Sequence, residues 1–244
     1  MKPLMFTIVL ASFFLTPPEP AFGQGTVIIQ HSGNNDPGTE GFSFTGLGGG
    51  AQVGPVTNDL GLNAWYIMPS ATWSPVYNES STPNQTTAIA DYTSTLSATL
   101  RLVGSAYAGL EYFSGENEFQ MEIFNSGANL QVQLQSSTYT LPNAASIYNT
   151  FQLIYNPANN TANLWVDGVE AISNATGLFG TPGNANVSLG VAYGQVNWNQ
   201  VSLEIVPEPS PLSLLAIGGT ALAACGFIRR GRSLAPPENP LSRT

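Results

Sequence analysis

Short runs of alternating apolar and polar residues fill the sequence from Gly25 to Val206, and Gly, Pro and Asn turns separate these runs. Successive side chains of a β-strand point to opposite faces of its sheet, so a period of two indicates strands with one buried face. No convincing period of 3.6 residues, which would indicate an amphipathic helix, occurs in this stretch. About a dozen such runs are present, and that number favours two packed sheets. The sequence therefore predicts an all-β domain over residues 24–206, built as a two-sheet antiparallel β-sandwich.

Alternation also predicts the register of individual hairpins. One strand is expected over Ser97–Val103 and another over Glu118–Phe124. In the hairpin that follows the second of these, Phe119 is expected opposite Leu134, with residues 125–128 as the loop. Apolar residues of both strands then share the inner face, and glutamates and glutamines share the outer face.

Two further hairpins meet at Trp165. A loop at residues 157–160 joins the first pair of strands and places Gln152 opposite Trp165. The dipeptide Asp167-Gly168 forms the next turn, because two-residue hairpin turns favour residues that tolerate positive φ at both positions. This turn places Glu170 opposite Trp165 on the other side. The two turns agree in putting Trp165 on the face opposite Leu164 and the core.

Charged residues make up only 9% of the chain, against about 25% in ordinary globular proteins. Between residues 24 and 206 Arg101 is the sole Lys or Arg, beside twelve carboxylates. Nucleic acids and anionic lipids are bound by clustered Lys and Arg. Neither is therefore expected as a partner of the domain.

Cysteine and histidine are nearly absent. Cys225 is the only cysteine and lies outside the domain, and His31 is the only histidine. These counts exclude a disulfide, a cysteine zinc site and a multi-histidine metal site within the domain. No D-x-D-x-D-G calcium loop is present either, although a calcium site built from carbonyl groups stays open. We expect no cofactor.

The N-terminal segment has the features of a signal peptide. Lys2 precedes an apolar run from Leu4 to Leu15, and small residues stand at the expected positions before a cleavage point between Gly23 and Gln24. Segment 1–23 is therefore predicted to direct export through the Sec machinery.

The C-terminal segment combines three features in a fixed order. A Pro-Glu-Pro motif is followed by an apolar stretch over 212–228 and by an arginine cluster; these residues are Pro207, Glu208 and Pro209, then Arg229, Arg230 and Arg232. Seventeen helical residues span about 25 Å, slightly less than a hydrocarbon core of about 30 Å, and the arginines favour a cytoplasmic end. The simplest interpretation is a single transmembrane helix that anchors the protein in the inner membrane.

Residues 207–232 closely resemble the PEP-CTERM sorting signal of exopolysaccharide-producing bacteria. The resemblance implies recognition by an exosortase, cleavage near the Pro-Glu-Pro motif and delivery to the cell surface or extracellular matrix. Members of that family usually end soon after the arginines, whereas here a polar tail, residues 233–244, follows.

A second resemblance concerns the fold. The segments Tyr148–Tyr155, Ala162–Val169 and Val196–Glu204 look like strands of the concanavalin A-like or laminin G-like jelly roll, in which a strand ends in an aromatic-Val-Asp-Gly turn. The resemblance implies that fold and a family habit of binding glycans or proteins. Fold by itself does not decide function.

Sugar recognition needs an aromatic ring that stacks on a pyranose, with amide and carboxylate groups beside it. Trp165, flanked by Gln152 and Glu170, is the best candidate for such a platform; the alternative is that Trp165 packs beneath a loop or another strand. Trp73 and Tyr77 lie in an aromatic and proline-rich segment typical of a binding loop, and equally typical of a lid folded onto the core.

Glu118, Gln120 and Glu122 resemble the catalytic strand of glycoside hydrolases with the concanavalin A-like fold. Alternation puts both glutamates on one face, but Gln120 replaces the middle aspartate of that pattern. Alternating acidic residues on an exposed strand are more often a solvated face.

These observations favour a non-catalytic exported protein of the cell surface or extracellular matrix that associates with extracellular polysaccharide through a lectin-like sandwich. The alternatives are a structural membrane-anchored protein without a glycan ligand and, more remotely, a glycoside hydrolase. Substitution of Trp165 tests the first hypothesis, and substitution of Glu118 or Glu122 tests the last.

Overall fold

The computed structural model describes residues 25–45, 50–70, 76–79, 92–115, 117–179 and 187–206. The predicted signal peptide, Trp73, the Pro-Glu-Pro motif, the apolar stretch and the arginine cluster lie outside these residues. Among the described residues, no helix has the length and apolar character needed to cross a bilayer.

The described chain is all-β, as predicted, and every strand pairing is antiparallel. Its one helical element among the described residues is a short 3-10 turn at Pro37–Glu40. The strands are β1 (Thr26–Ser32), β2 (Ser43–Thr45), β3 (Gln52–Asp59), β4 (Leu62–Met68), β5 (Val76–Glu79), β6 (Thr93–Ser114), β7 (Asn117–Ser126), β8 (Asn129–Leu134), β9 (Ser137–Leu141), β10 (Asn149–Asn156), β11 (Thr161–Val166), β12 (Val169–Thr176), β13 (Leu178–Phe179) and β14 (Val187–Val206).

Two long strands, β6 and β14, pair along almost their whole length and take part in two layers. The first half of β6 and the second half of β14 are flanked by β10, β11 and β12 on one side and by β1 on the other, and we call this layer sheet A. The remaining halves are flanked by β7, β8 and β9 on one side and by β5 and β2 on the other, and we call this layer sheet B. Strand β4, with β3 outside it, pairs with the middle of β14.

The two layers pack face to face because β6 bends. Ser94 and Tyr112, eighteen residues apart on this one strand, hydrogen bond through their hydroxyl groups. In a straight strand they would be about 60 Å apart. The bend lies at Gly104, whose φ is 66°, and the partner strand has an irregular register at Gly194. Across the interface, the rings of Phe119 and Tyr155 are 5.7 Å apart.

Inward-facing residues of both sheets form one continuous core. In β6 every second residue from Ser94 to Leu102 and from Ala106 to Ser114 is buried, and its neighbours face outward. The largest side chains buried in the core include Trp198, Tyr112, Tyr155, Phe119 and Phe151. This alternation makes the two outer faces the accessible surfaces of the sandwich.

A polar cluster at one end of sheet A joins distant parts of the chain. The Asp59 carboxylate pairs with the Arg101 guanidinium and accepts hydrogen bonds from the Tyr148 hydroxyl at 2.9 Å and the Asn197 amide at 2.7 Å. Although burial opposes it, these hydrogen bonds hold the pKa of Asp59 below its ordinary value. Arg101, the sole Lys or Arg of the described residues, is thereby compensated.

The predicted registers around Trp165 are confirmed. Gln152 lies opposite Trp165 between β10 and β11, and Glu170 lies opposite Trp165 between β11 and β12. Asp167 and Gly168 have φ values of 49° and 78°, as the predicted two-residue turn requires.

The predicted register of the β7–β8 hairpin is wrong by two residues. Leu134 pairs with Met121 rather than with Phe119, and the loop is a two-residue turn between Ser126 and Asn129. Since the slip is an even number of residues, the inner and outer faces stay as predicted.

Candidate functional site

Two glycines face each other in the middle of sheet B. Gly109 of β6 pairs directly with Gly190 of β14, where most strand positions carry a side chain. A Cβ added at Gly109 would have no heavy atom within 4 Å, and one at Gly190 would make only ordinary contacts, the nearest being 3.7 Å to Val76. The glycines are therefore not required by packing. They leave bare backbone at the surface, as strand glycines often do where a ligand approaches.

An aromatic cluster lies beside this bare backbone, two residues along β6. The rings of Tyr107 and Phe124 stack at 5.9 Å and 10° between planes. Tyr193, which is 51% exposed, lies 5.5 Å from Tyr107 on its other side. An apolar surface of this kind is the usual recognition element for a ring-shaped ligand.

Carboxylates and amides lie on the remaining sides. Glu111 lies two residues from Gly109 on β6, and the side-chain amide of Gln120 approaches its carboxylate at 3.4 Å. Burial, with the negative charge of nearby Glu118, raises the pKa of Glu111. Glu122 pairs with Gly109 from β7 and hydrogen bonds with the Tyr107 hydroxyl. Burial and this carboxylate raise the pKa of Tyr107.

A cavity of about 470 Å³ opens next to Glu122. It lies between β7, β8 and the connection from β12 to β13 at residues 176–178. Six polar residues and one leucine line it: Gln120, Glu122, Gln133, Gln135, Ser136, Thr176 and Leu178. Gln135 is fixed by donating its side-chain amide to the Glu118 backbone carbonyl at 2.7 Å. Of the amides in this lining, Gln120 lies one strand away from Gly109 and Gln133 lies two strands away.

We call this surface the glycine groove. Its floor is the Gly109–Gly190 pair, one end is the aromatic cluster of Tyr107, Phe124 and Tyr193, and the other end is Glu111. Four residues along a strand separate Tyr107 from Glu111, which is about 13 Å. That length accommodates a pyranose ring with its neighbouring linkages.

The sequence-predicted platform lies on the opposite surface, the outer face of sheet A. Trp165 is half-buried there, with Gln152 and the exposed Glu170 as direct cross-strand neighbours. The same row continues through Ser97 on β6 and Ser202 on β14. The structure thus brings the predicted triplet together on an accessible face, and whether it binds a glycan stays a prediction.

The prediction that Tyr77 contributes to a glycan platform is corrected by its burial. Tyr77 is only 2% exposed, and its hydroxyl accepts a hydrogen bond from the Trp65 indole at 3.2 Å. Its ring packs 4.5 Å from Phe44. The Tyr77 side chain packs in the core, which agrees with the alternative of a segment folded onto the core. Its ring is therefore not accessible for stacking on a ligand.

Glu118, Gln120 and Glu122 lie on the outer face of β7, as predicted, and form one side of the glycine groove. Glu118 and Glu122 are four residues apart along the strand, about 13 Å between Cα atoms. Glu111 is a diagonal neighbour of both, about 7–8 Å away, because it pairs with Gln120 between them.

Sequence reasoning missed Tyr107, Gly109 and Glu111. The strand predicted over Ser97–Val103 continues to Ser114 after its bend. A signal was present in the alternation of Ala106, Ala108, Leu110 and Tyr112, all buried. Gly104 interrupts the alternation of buried and exposed residues at the point where β6 passes from sheet A to sheet B. Alternation alone therefore does not predict that the two halves form one strand.

Within the described ranges, no group of three or more His, Cys, Asp or Glu side chains is placed to hold a metal ion.

No protein-family model matches this chain, and no curated protein matches it in sequence. Several solved structures are similar in backbone. A Bacillus licheniformis β-glucanase aligns over 74% of this chain and 98% of its own at 12% identity and a TM-score of 0.45.

A botulinum neurotoxin type C structure, described through the toxin's interaction with two ganglioside molecules, aligns over 80% of this chain at 8% identity and a TM-score of 0.46. The chain spans about half (51%) of that toxin chain. A Caenorhabditis elegans galectin aligns over 46% of this chain and 82% of its own, at 11% identity and a TM-score of 0.33. Each of these TM-scores is below 0.5.

Proposed function

We propose that the glycine groove binds a polysaccharide and that the protein is an exported, non-catalytic component of the cell surface or extracellular matrix. The observation that carries this proposal is the directly paired Gly109 and Gly190, whose missing side chains leave a floor beside an aromatic cluster. A polysaccharide ring fits such a floor because it has a flat apolar face and a polar rim.

The polar groups match the rim of a sugar ring. Glu111 and Glu122 accept hydrogen bonds from sugar hydroxyls, while the amides of Gln120 and Gln133 both donate and accept. Strand pairing holds these groups on a rigid sheet, so little conformational entropy is lost when a ligand binds. This preorganisation favours recognition over mere surface solvation.

We further propose that the sandwich belongs with the concanavalin A-like jelly rolls. Support comes from its antiparallel pairing throughout the described strands and from the two bent strands, β6 and β14, that run through both layers. The Trp165 platform on sheet A remains a separate candidate for a glycan contact.

Binding is tested with full-length protein and a panel of neutral and charged oligosaccharides in isothermal titration calorimetry. Tyr107→Ala is expected to weaken binding at least about tenfold, since it removes the central ring of the aromatic cluster. Tyr92→Ala removes an exposed tyrosine that belongs neither to the groove nor to the row of Trp165; it is the control and is expected to bind normally. Absence of binding to every polysaccharide offered, or normal binding by the Tyr107 variant, would refute the proposal and favour a purely structural surface protein.

A weak glycoside hydrolase is the second candidate, and one observation favours it. Glu111 has a raised pKa and lies diagonally between two other carboxylates, Glu118 and Glu122. The strand positions are about 7–8 Å apart, and side-chain rotamers adjust the distance between the carboxyl groups toward the range of about 6.5–9.5 Å that inverting glycosidases use. Hydrolysis that disappears in Glu111→Gln, while binding persists, would establish this candidate in place of the non-catalytic one.

For localisation, we propose export by the Sec machinery, sorting by the PEP-CTERM-like tail and processing by an exosortase. The support is the order of the Pro-Glu-Pro motif, apolar stretch and arginine cluster at 207–232, together with the signal-like segment 1–23. Intact mass of the native protein is measured in cells with and without the exosortase. Loss of the tail only where the enzyme is present supports sorting, whereas a tail that persists in both indicates an ordinary membrane anchor.

A further inference from the structure

We infer that the polysaccharide held by the glycine groove carries free amino groups, as a partly deacetylated hexosamine polymer does, and that polyanionic polysaccharides are rejected. This inference rests on the proposed function of the groove. It names the ligand class by its charge, which the fold does not decide.

The groove is negatively charged at three positions. Glu111, Glu118 and Glu122 all project from the outer face of sheet B, and the first of them is a diagonal neighbour of the other two. Gln120, which stands between them, approaches Glu111 at 3.4 Å but has no charge to neutralise it. Glu118 repels the Glu111 carboxylate, and the hydrogen bonds that Glu111 accepts from Gln120 and Ser188 bring no positive charge to it.

No cation is available from the described part of the chain to balance this charge. Arg101 is the sole Lys or Arg there, and it is already paired with Asp59 and bonded to the Ser146 carbonyl at 3.0 Å. His31 is fully buried, and burial lowers its pKa. A ligand ammonium group is the simplest source of the missing positive charge.

The position of the carboxylates suits an amino sugar in particular. A ring that lies on Gly109 and Gly190 has the Tyr107 ring at one end, and Glu111 and Glu122 lie within one strand spacing of the floor. An ammonium substituent on that ring reaches a carboxylate and remains close to an aromatic face, and both contacts favour a cation. A carboxylate or sulfate substituent in the same place meets only negative charge.

The test offers the full-length protein three oligosaccharides of equal length. They are a fully N-acetylated glucosamine oligomer, a fully deacetylated glucosamine oligomer and a uronic acid oligomer. At about 20 mM salt we expect the deacetylated oligomer to bind about tenfold more tightly than the acetylated one, and the uronic acid oligomer not to bind. The preference should shrink severalfold at about 500 mM salt, because partly exposed charge pairs are screened.

Matched variants locate the effect. Glu111→Gln and Glu122→Gln should each weaken the deacetylated oligomer more than the acetylated one, so that the preference for the deacetylated oligomer falls by about threefold to tenfold. Glu204→Gln removes a carboxylate from the outer face of sheet A and should leave the preference unchanged. Circular dichroism and thermal unfolding confirm that each variant is folded.

The outcomes separate the two proposals. Equal binding of the acetylated and deacetylated oligomers, with both lost in Tyr107→Ala, overturns the inference and leaves polysaccharide binding intact. A preference that survives both groove substitutions shows that the ammonium groups are attracted to other carboxylates of this acidic protein, and this also overturns the inference. Failure of all three oligomers, and of the neutral and charged panel, refutes the proposed function itself.

Discussion

Replacing Gly109 by alanine tests the central claim that the floor of the groove is kept bare for a ligand. A Cβ at this position would meet no heavy atom within 4 Å, and the backbone is not in the left-handed region that only glycine tolerates readily. Glycine inside a strand costs roughly 0.5–1 kcal/mol relative to alanine through the entropy of the unfolded chain. Gly109→Ala should therefore stabilise the fold by about 0.5–1 kcal/mol.

That gain corresponds to roughly 1–4 °C in Tm for a domain of this size, measurable by differential scanning calorimetry. Binding should change in the opposite direction, because the new methyl group occupies the surface on which the ring lies. A misfit of about 1–2 kcal/mol is expected for one extra methyl in a close contact, which corresponds to about fivefold to thirtyfold weaker binding. Higher stability combined with weaker binding is the result that a purely structural glycine cannot produce.

Gly194→Ala provides the contrast within the same strand pair. Its φ is 72°, and an added Cβ would lie 2.6 Å from the Ala106 Cα atom, so this variant should be clearly destabilised. Loss of stability in Gly109→Ala would mean that the space above this residue is filled, and unchanged affinity for a polysaccharide that the protein binds would mean that the ligand lies elsewhere. Either result would contradict a groove floor that is kept bare for a ligand.

The remaining predictions concern charge and the second surface. Burial raises the pKa of Glu79 from 4.5 to about 6, so its ionisation lowers the stability of the fold as pH rises from about 4.5 to 6. Glu79→Gln should therefore raise the free energy of unfolding by about 1–2 kcal/mol at pH 7–8 and by almost nothing at pH 4. Urea unfolding measures this difference. Asp59 has a lowered pKa, so its contribution to the stability of the fold is present above its ordinary pKa and is lost in acid. Asp59→Asn should lower the free energy of unfolding by about 1–3 kcal/mol at pH 7, because Arg101 loses its partner, and by much less near pH 2. Trp165→Ala should leave the fold intact because the ring is on an outer face, and weaker glycan binding by this variant would establish the sheet A platform, whereas unchanged binding would remove it.

Local features of the chain were predictable from the sequence. The all-β class follows from the period of two, and the Asp167-Gly168 turn follows from two adjacent residues that tolerate positive φ, so both depend on neighbours in the chain. The scarcity of cations, and hence the net negative charge of residues 24–206, is likewise a property of composition.

Tertiary structure decided which of these local features meet. A period of two is unchanged by a slip of two residues, so alternation identified the faces of the β7–β8 hairpin but not its register. Tyr77 stands among aromatic and proline residues in the sequence, and only the packing of Trp65 and Phe44 around it shows that it belongs to the core. Similarly, the sequence does not show that Gly109 and Gly190 lie side by side, because they are 81 residues apart in the chain. Only the pairing of β6 with β14 brings together the two positions without side chains that form the groove.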